Sequence, residues 1–333
     1  MIETRKIQAG MRLIVSLIAI PGLLCGFSRS VLAADASYAL RAFWTGADAR
    51  GGAFYRPFGI AVAPDGSVYV TDFRKRVVHL AANGAYLGEW GKSGSGPGDF
   101  SNPVGVGVAS DGSVYVSDYD QDRIQKFAKD GRFQLQFGAH GNGPGQFDAP
   151  TGIGLDDHGN VYVADFYNNR IEEFSPSGRF RRAIGRSGRS GTDALHYPTD
   201  VVIQSDGGLL VADAYNYELK WFDSHGRGIA EWGYHLLASW PRPAAGSKGF
   251  NVPTSAAVGP RGLIHVADSG NHRIVLLSPD HAFVTDWKLP DPDPKVLSPT
   301  TVAVSPDGKT VYATDFSRNQ IVVLSVSMNG NAF

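Results

Sequence analysis

The feature that most constrains this chain is a unit written six times. The units run Phe54-Tyr-Arg-Pro to Val-Tyr-Val-Thr-Asp72, Phe100-Ser-Asn-Pro to Val-Tyr-Val-Ser-Asp118, and Phe147-Asp-Ala-Pro to Val-Tyr-Val-Ala-Asp165. They continue as His196-Tyr-Pro to Leu-Leu-Val-Ala-Asp213, Phe250-Asn-Val-Pro to Ile-His-Val-Ala-Asp268, and Leu297-Ser-Pro to Val-Tyr-Ala-Thr-Asp315. The closing aspartates lie 46, 47, 48, 55 and 47 residues apart. A repeat of this length is one supersecondary unit that cannot bury its apolar face alone, so the units must stack on one another.

Each unit reads as four short strands. Pro57 to Val62 forms the first, Pro64-Asp65-Gly66-Ser67 a hairpin turn, and Val68-Tyr69-Val70 the second strand. In the next unit Arg123 to Phe127 is the third strand, Lys129-Asp130-Gly131 a turn, and Phe133 to Phe137 the fourth. Apolar and polar residues alternate in strands three and four, as half-buried antiparallel strands require. The 41 glycines of the 333-residue chain supply the positive φ that so many turns demand. The reading is all-β: a six-bladed β-propeller of four-stranded antiparallel blades. The sixth unit lacks a fourth strand, whereas Tyr38 to Trp44 is a strand without a unit. Placing that N-terminal strand on the last blade closes the ring and removes an open edge.

The repeated motif resembles the NHL-repeat family, with a Pro-x-Gly-Ile-Ala-Val start, a Val-Tyr-Val-Ala-Asp strand and an Asn-x-Arg-Ile turn. The best matches are Asp268-Ser-Gly-Asn-His-Arg-Ile274 and Asp165-Phe-Tyr-Asn-Asn-Arg-Ile171. The resemblance covers residues 38–327 and implies the propeller; it says little about activity. Aspartate closes strand two in all six units, and arginine follows at Arg76, Arg123, Arg170 and Arg273. A pair that recurs in every blade is expected to lock the turn between strands two and three. Blades four and six depart, with Glu218 and Gln320 at the arginine position, and those departures are read as pointers to function.

Residues 1–33 read as a secretory signal peptide: Arg5, Lys6 and Arg12, an apolar run from Leu13 to Phe27, and a small-residue cleavage site ending at Ala33. The run carries Pro21 and Gly22 and is short for a bilayer span. Residues 34–330 form the single propeller domain. Without the leader the chain carries 27 basic and 31 acidic residues and no cysteine, since Cys25 is the only one. Thiolate chemistry and disulfides are thereby excluded, and the net negative charge argues against nucleic acid. A secreted or periplasmic monomer is expected, with no membrane span after cleavage.

The loops between strands two and three share one face of the disc with the inter-blade linkers. Five of these six loops carry aromatics, including Phe73, Tyr119, Phe166, Tyr167, Tyr215, Tyr217 and Phe316. Amphipathic rings suit a protein, peptide or carbohydrate partner in the cell envelope. The expected ligand site comprises Tyr167, Asp200, Tyr215, Tyr217, Trp240 and His272. Trp240 lies in the longest insertion, Gly233 to Gly249. The alternative is an enzyme resembling the six-bladed lyases, lactonases and gluconolactonases, a likeness that implies a central metal and an acid–base residue. The channel-mouth positions hold one ionisable residue, Asp200, and no histidine falls in a fixed-spacing ligand motif. No metal and no cofactor are expected.

Overall fold

The computed structural model describes residues 36–233, 249–288 and 297–328. Among them lie six four-stranded sheets, one per repeat. The innermost strands are Pro57–Val62, Pro103–Val108, Pro150–Leu155, Pro198–Ile203, Pro253–Val258 and Pro299–Val304. Each begins with proline, which is tolerated because an innermost strand pairs on one edge only and its first residue need not donate. In every blade that proline faces the repeated aspartate across the first strand pair, as in Pro57 opposite Asp72.

Ring closure follows the sequence. Ala36–Trp44 is the outermost strand of blade six, antiparallel to Gln320–Met328, with Tyr38 opposite Val326 and Trp44 opposite Ile321. The expected signal peptide, residues 1–33, lies outside the described residues. Among those described, no helix is long and apolar enough to cross a membrane.

The cores lie between blades. Tyr162 and Ile171 of blade three, for example, meet Val201, Val211 and Phe222 of blade four in one buried cluster. A plug precedes each inner strand: Phe54, Phe100, Phe147, Leu195, Phe250 and Leu297 are all buried. A glycine in the left-handed region makes room for two of these rings. Gly91 (φ 98°) and Gly138 (φ 98°) sit where an added Cβ would lie 2.7 and 2.6 Å from Phe100 and Phe147. Alanine there would strain the backbone and clash as well.

The repeated aspartates are architecture. All six are fully buried. Each accepts a backbone N–H seventeen residues upstream, such as Asn251 N (2.8 Å) on Asp268 or His196 N (2.7 Å) on Asp213. Asp268 and Asp165 also bind Arg273 (2.7 Å) and Arg170 (2.9 Å). The linker entering each blade is thus pinned to the turn leaving strand two.

Glu218 corrects the expectation that blade four departs for functional reasons. The cation has moved two residues along the strand, to Lys220, which is 0% exposed on its side chain. Its Nζ lies 3.2 Å from Glu218, 3.2 Å from Glu231 and 3.9 Å from Asp213, and donates to Gly191 O at 2.8 Å. Acid and base have exchanged places within one buried network. The departure is compensated inside the fold.

Candidate functional site

Two features stand on the face that carries the linkers and the loops after strand two: an aromatic platform at blades two to four and the mouth of the central channel.

The platform centres on Phe166 and Tyr197, stacked at 4.9 Å between ring centres. Tyr167 packs edge-on against both, at 4.9 and 5.8 Å. Tyr215 does the same at 6.1 and 5.2 Å, and Tyr119 reaches Tyr167 at 6.4 Å. His196 lies 4.3 Å from the Tyr197 ring. These rings rise from a fixed backbone: Tyr197 N–H donates to Asn169 Oδ1 (2.9 Å), Tyr167 N–H to Asp148 O (3.1 Å) and Tyr215 N–H to His196 O (3.3 Å). Yet Tyr167 and Tyr215 stay 48% and 42% exposed. Burial, followed by its contact with Tyr167, pushes the Tyr119 hydroxyl well above the usual phenol range.

Of the expected residues, Tyr167 and Tyr215 are brought together here. Tyr217 (φ 62°) and His272 (φ 57°) occupy the same left-handed position in the turns of blades four and five. His272 Nδ1 pairs with Leu297 O at 2.8 Å, tying blade five to blade six. Other blades use that position in the same way: Asn319 Oδ1 accepts Arg56 N–H and Asp122 Oδ1 accepts Ala149 N–H. Trp240 lies outside the described residues. Tyr197 was missed by loop-based reasoning, although its place directly before Pro198 puts it on the same face.

Asp200 lies within the channel. It lines both a cavity of about 50 Å³ toward this face, shared with Phe58, Thr151 and Thr254, and a larger one of about 240 Å³ beyond it. Its Oδ1 accepts Val201 N–H (2.9 Å), its Oδ2 accepts Ala256 N–H (3.3 Å), and the Ser255 hydroxyl binds the same carboxylate. Desolvation in the channel outweighs these bonds and pushes its pKa up to about 6, making it a weaker acid.

A central metal of the kind implied by the lyase and lactonase likeness needs several converging donors. The six inner strands offer one ionisable side chain, so the channel does not fit that group. Off the axis, the donor atoms of Asp122, His140 and Asp148 lie within 4.8 Å of one another. There Asp122 already holds Ala149 N–H with one oxygen and His140 Nδ1 (2.9 Å) with the other.

The comparisons agree with this architecture. Residues 250–275 match the NHL repeat family, and residues 108–184 match a family described as a 6-bladed beta-propeller. The chain is a six-bladed β-propeller, and the NHL match lies in its fifth blade. Among solved structures it is similar to hydrazine synthase of Kuenenia stuttgartiensis, with TM-score 0.58, 17% identity, and coverage of 82% of this chain and 96% of that one. It is also similar to a streptogramin B lyase (TM-score 0.56, 15% identity, 89% and 98% covered). Virginiamycin B lyase from Staphylococcus aureus is a third (TM-score 0.56, 19% identity, 89% and 90% covered). Identities this low show the fold alone. No curated protein matches the chain in sequence.

Proposed function

We propose that this protein is a binding module of the periplasm or the extracellular space, which captures a protein, peptide or carbohydrate on its loop-bearing face. The observation that carries the reading is the platform of Tyr119, Phe166, Tyr167, Tyr197 and Tyr215, rigid in its backbone and open at Tyr167 and Tyr215. Rigid amphipathic rings give large contact area at small entropy loss, and their hydroxyls add direction. Tyr217, His272 and Trp240 remain candidates for the rim of the same site, whereas Asp200 belongs to the channel.

Screening the full chain on glycan and peptide arrays tests this. Binding to one ligand class, lost when Tyr167 and Tyr215 are both replaced by alanine, is the expected result. An intact variant that binds equally well would place the function elsewhere.

A further inference from the structure

The channel holds a second chemistry, on the side away from the platform. Its larger cavity is lined by residues 60–62, 106–108, 153–155, 200–203, 256–258 and 301–304. These are consecutive residues of the six inner strands, so the wall is made by strand edges and not by alternate side chains. Each inner strand is hydrogen-bonded to one neighbour only. Its free edge therefore turns backbone groups toward the channel outside the sheet ladder, of which some, such as Val201 N–H and Ala256 N–H, bind a side chain. The last residues of these strands face the hairpin ends, as Val62 pairs with Val68, so this cavity opens on the hairpin side.

One charge stands in this tube of backbone polarity. The inner strands read PFGIAV, PVGVGV, PTGIGL, PTDVVI, PTSAAV and PTTVAV, and Asp200 is their sole ionisable residue. Neither channel cavity is lined by a lysine, arginine or histidine. Blades one to three carry Gly59, Gly105 and Gly152 at the same position, so the ring can be built with no side chain there. The site around Asp200 is nonetheless shaped for a carboxylate. Gly152 of blade three lies against it, where an added Cβ would come within 2.3 Å of Asp200 Oδ1. Ser255 binds it from blade five and itself accepts Val302 N–H of blade six at 3.2 Å. Three donors occupy a carboxylate that accepts about four, which leaves one acceptor position and a negative charge without a counter-charge. Asp200 is half-buried in the channel wall, where a charge without a partner is poorly solvated, and a cation entering the cavity would offset it.

We propose that the central channel binds a small organic cation with N–H donors, of the primary ammonium class, which enters from the hairpin side and pairs with Asp200. The ammonium meets the remaining lone pair of Asp200, and its other N–H groups meet the carbonyls of the strand edges. This site is separate from the aromatic platform and does not depend on it.

The probe is ethylammonium, titrated into the full chain by calorimetry and by the ¹³C resonance of the Asp200 carboxyl. One site is expected at pH 8, weakened about tenfold at pH 5, where about a tenth of a carboxyl titrating near 6 stays ionised. No other ionisable group on the six strands packed around the channel contributes to that dependence. Asp200→Gly, which restores the residue of blades one to three, should abolish binding. Asp200→Asn, which keeps the size and removes the charge, should do the same if the glycine variant fails to fold. Tetramethylammonium, a cation without N–H, should bind at least about tenfold more weakly than ethylammonium. Binding that survives both substitutions, or no binding of ethylammonium at pH 8, would overturn the proposal. Equal binding of tetramethylammonium would overturn the N–H recognition, and displacement of ethylammonium by stoichiometric calcium would make this a metal site.

Discussion

Two aromatic clusters stand on the loop-bearing face, and they differ in what covers them. At the junction of blades six and one, Phe316 packs on Phe73 (5.4 Å) and Phe58 (6.2 Å). The Arg56 guanidinium lies over Phe316, Phe73 and Tyr55 at 5.3 to 6.0 Å. The amide of Arg56 is held in turn by Asn319 Oδ1 at 2.8 Å. At the junction of blades three and four, by contrast, four tyrosines gather around Phe166, and no cation lies over the rings among the described residues. The first cluster carries a cation over its rings, although its Tyr55 is as exposed (45%) as the platform's tyrosines. The second carries no such cap, and both Tyr167 and Tyr215 stay open to solvent.

The difference follows from where the chain closes. Blade six takes its outer strand from the N-terminus, so its stability depends on contacts between the two ends of the chain. Trp44 packs on Tyr312 at 5.2 Å, and Tyr38 pairs with His265 of blade five at 2.7 Å. Aromatic contacts on that side hold the ring shut. Blades three and four follow each other in sequence and have no such closure to secure.

The largest effect should come from the closure. Deleting residues 36–46 removes the outer strand of blade six and exposes a strand edge, and should lower the melting temperature by more than about 10 °C. A truncated chain that melts as the full one does would mean that the closing side needs no clamp, and the contrast would fall.

The next effect is a pH dependence on the same side. Burial depresses His265 to about 3, below the usual histidine value near 6.5, so the folded ring stays neutral while the unfolded one takes up a proton. The stability it contributes is full above about 6.5 and is lost as pH falls toward 3. By pH 4.5 the loss is on the order of 2–3 kcal/mol. Burial raises Asp213 and Glu172 to about 7, and these groups act in the opposite sense as pH falls. Denaturant melts of wild type and His265→Gln at pH 7 and pH 4.5 separate the two. The wild-type advantage at pH 7 should shrink or reverse at pH 4.5, whereas an unchanged difference would remove His265 from the account.

A smaller effect is expected at the repeated aspartates. Asp118→Ala strips the acceptor from Ser101 N–H and Asn102 N–H and should destabilise by about 1–3 kcal/mol. Calorimetric melting checks this, and binding on the platform should be unaltered once the variant is folded. Unchanged stability with lost binding would turn this aspartate from architecture into a site residue.

Much of this was legible because a propeller repeats its grammar. Blade number, the closing strand and the Asp–Arg lock of blades one, two, three and five all follow from positions that recur. What recurs only in space was harder to read. Lys220 compensates Glu218 from two residues along the strand, and a position-by-position comparison of repeats registers the loss without the gain. Tyr197 sits in a linker, so counting the loops after strand two passes over it, although it forms the middle of the platform. Asp200 was visible as the odd residue at a glycine position. Its partners Ser255 and Ala256 come from the neighbouring blade, and only the ring brings them to it.

On the proposed function the platform is the working surface and the Arg56-capped cluster is not. The direct test compares Tyr167→Ala/Tyr215→Ala with Arg56→Ala, measuring melting temperature and affinity for the array-identified ligand on each. The tyrosine pair should lose at least about tenfold in affinity with stability close to wild type, because both side chains are exposed. Arg56→Ala should keep its affinity and lose stability, as removal of a cap over three rings requires. The reverse pattern, with affinity lost at Arg56 and kept without the tyrosines, would contradict it.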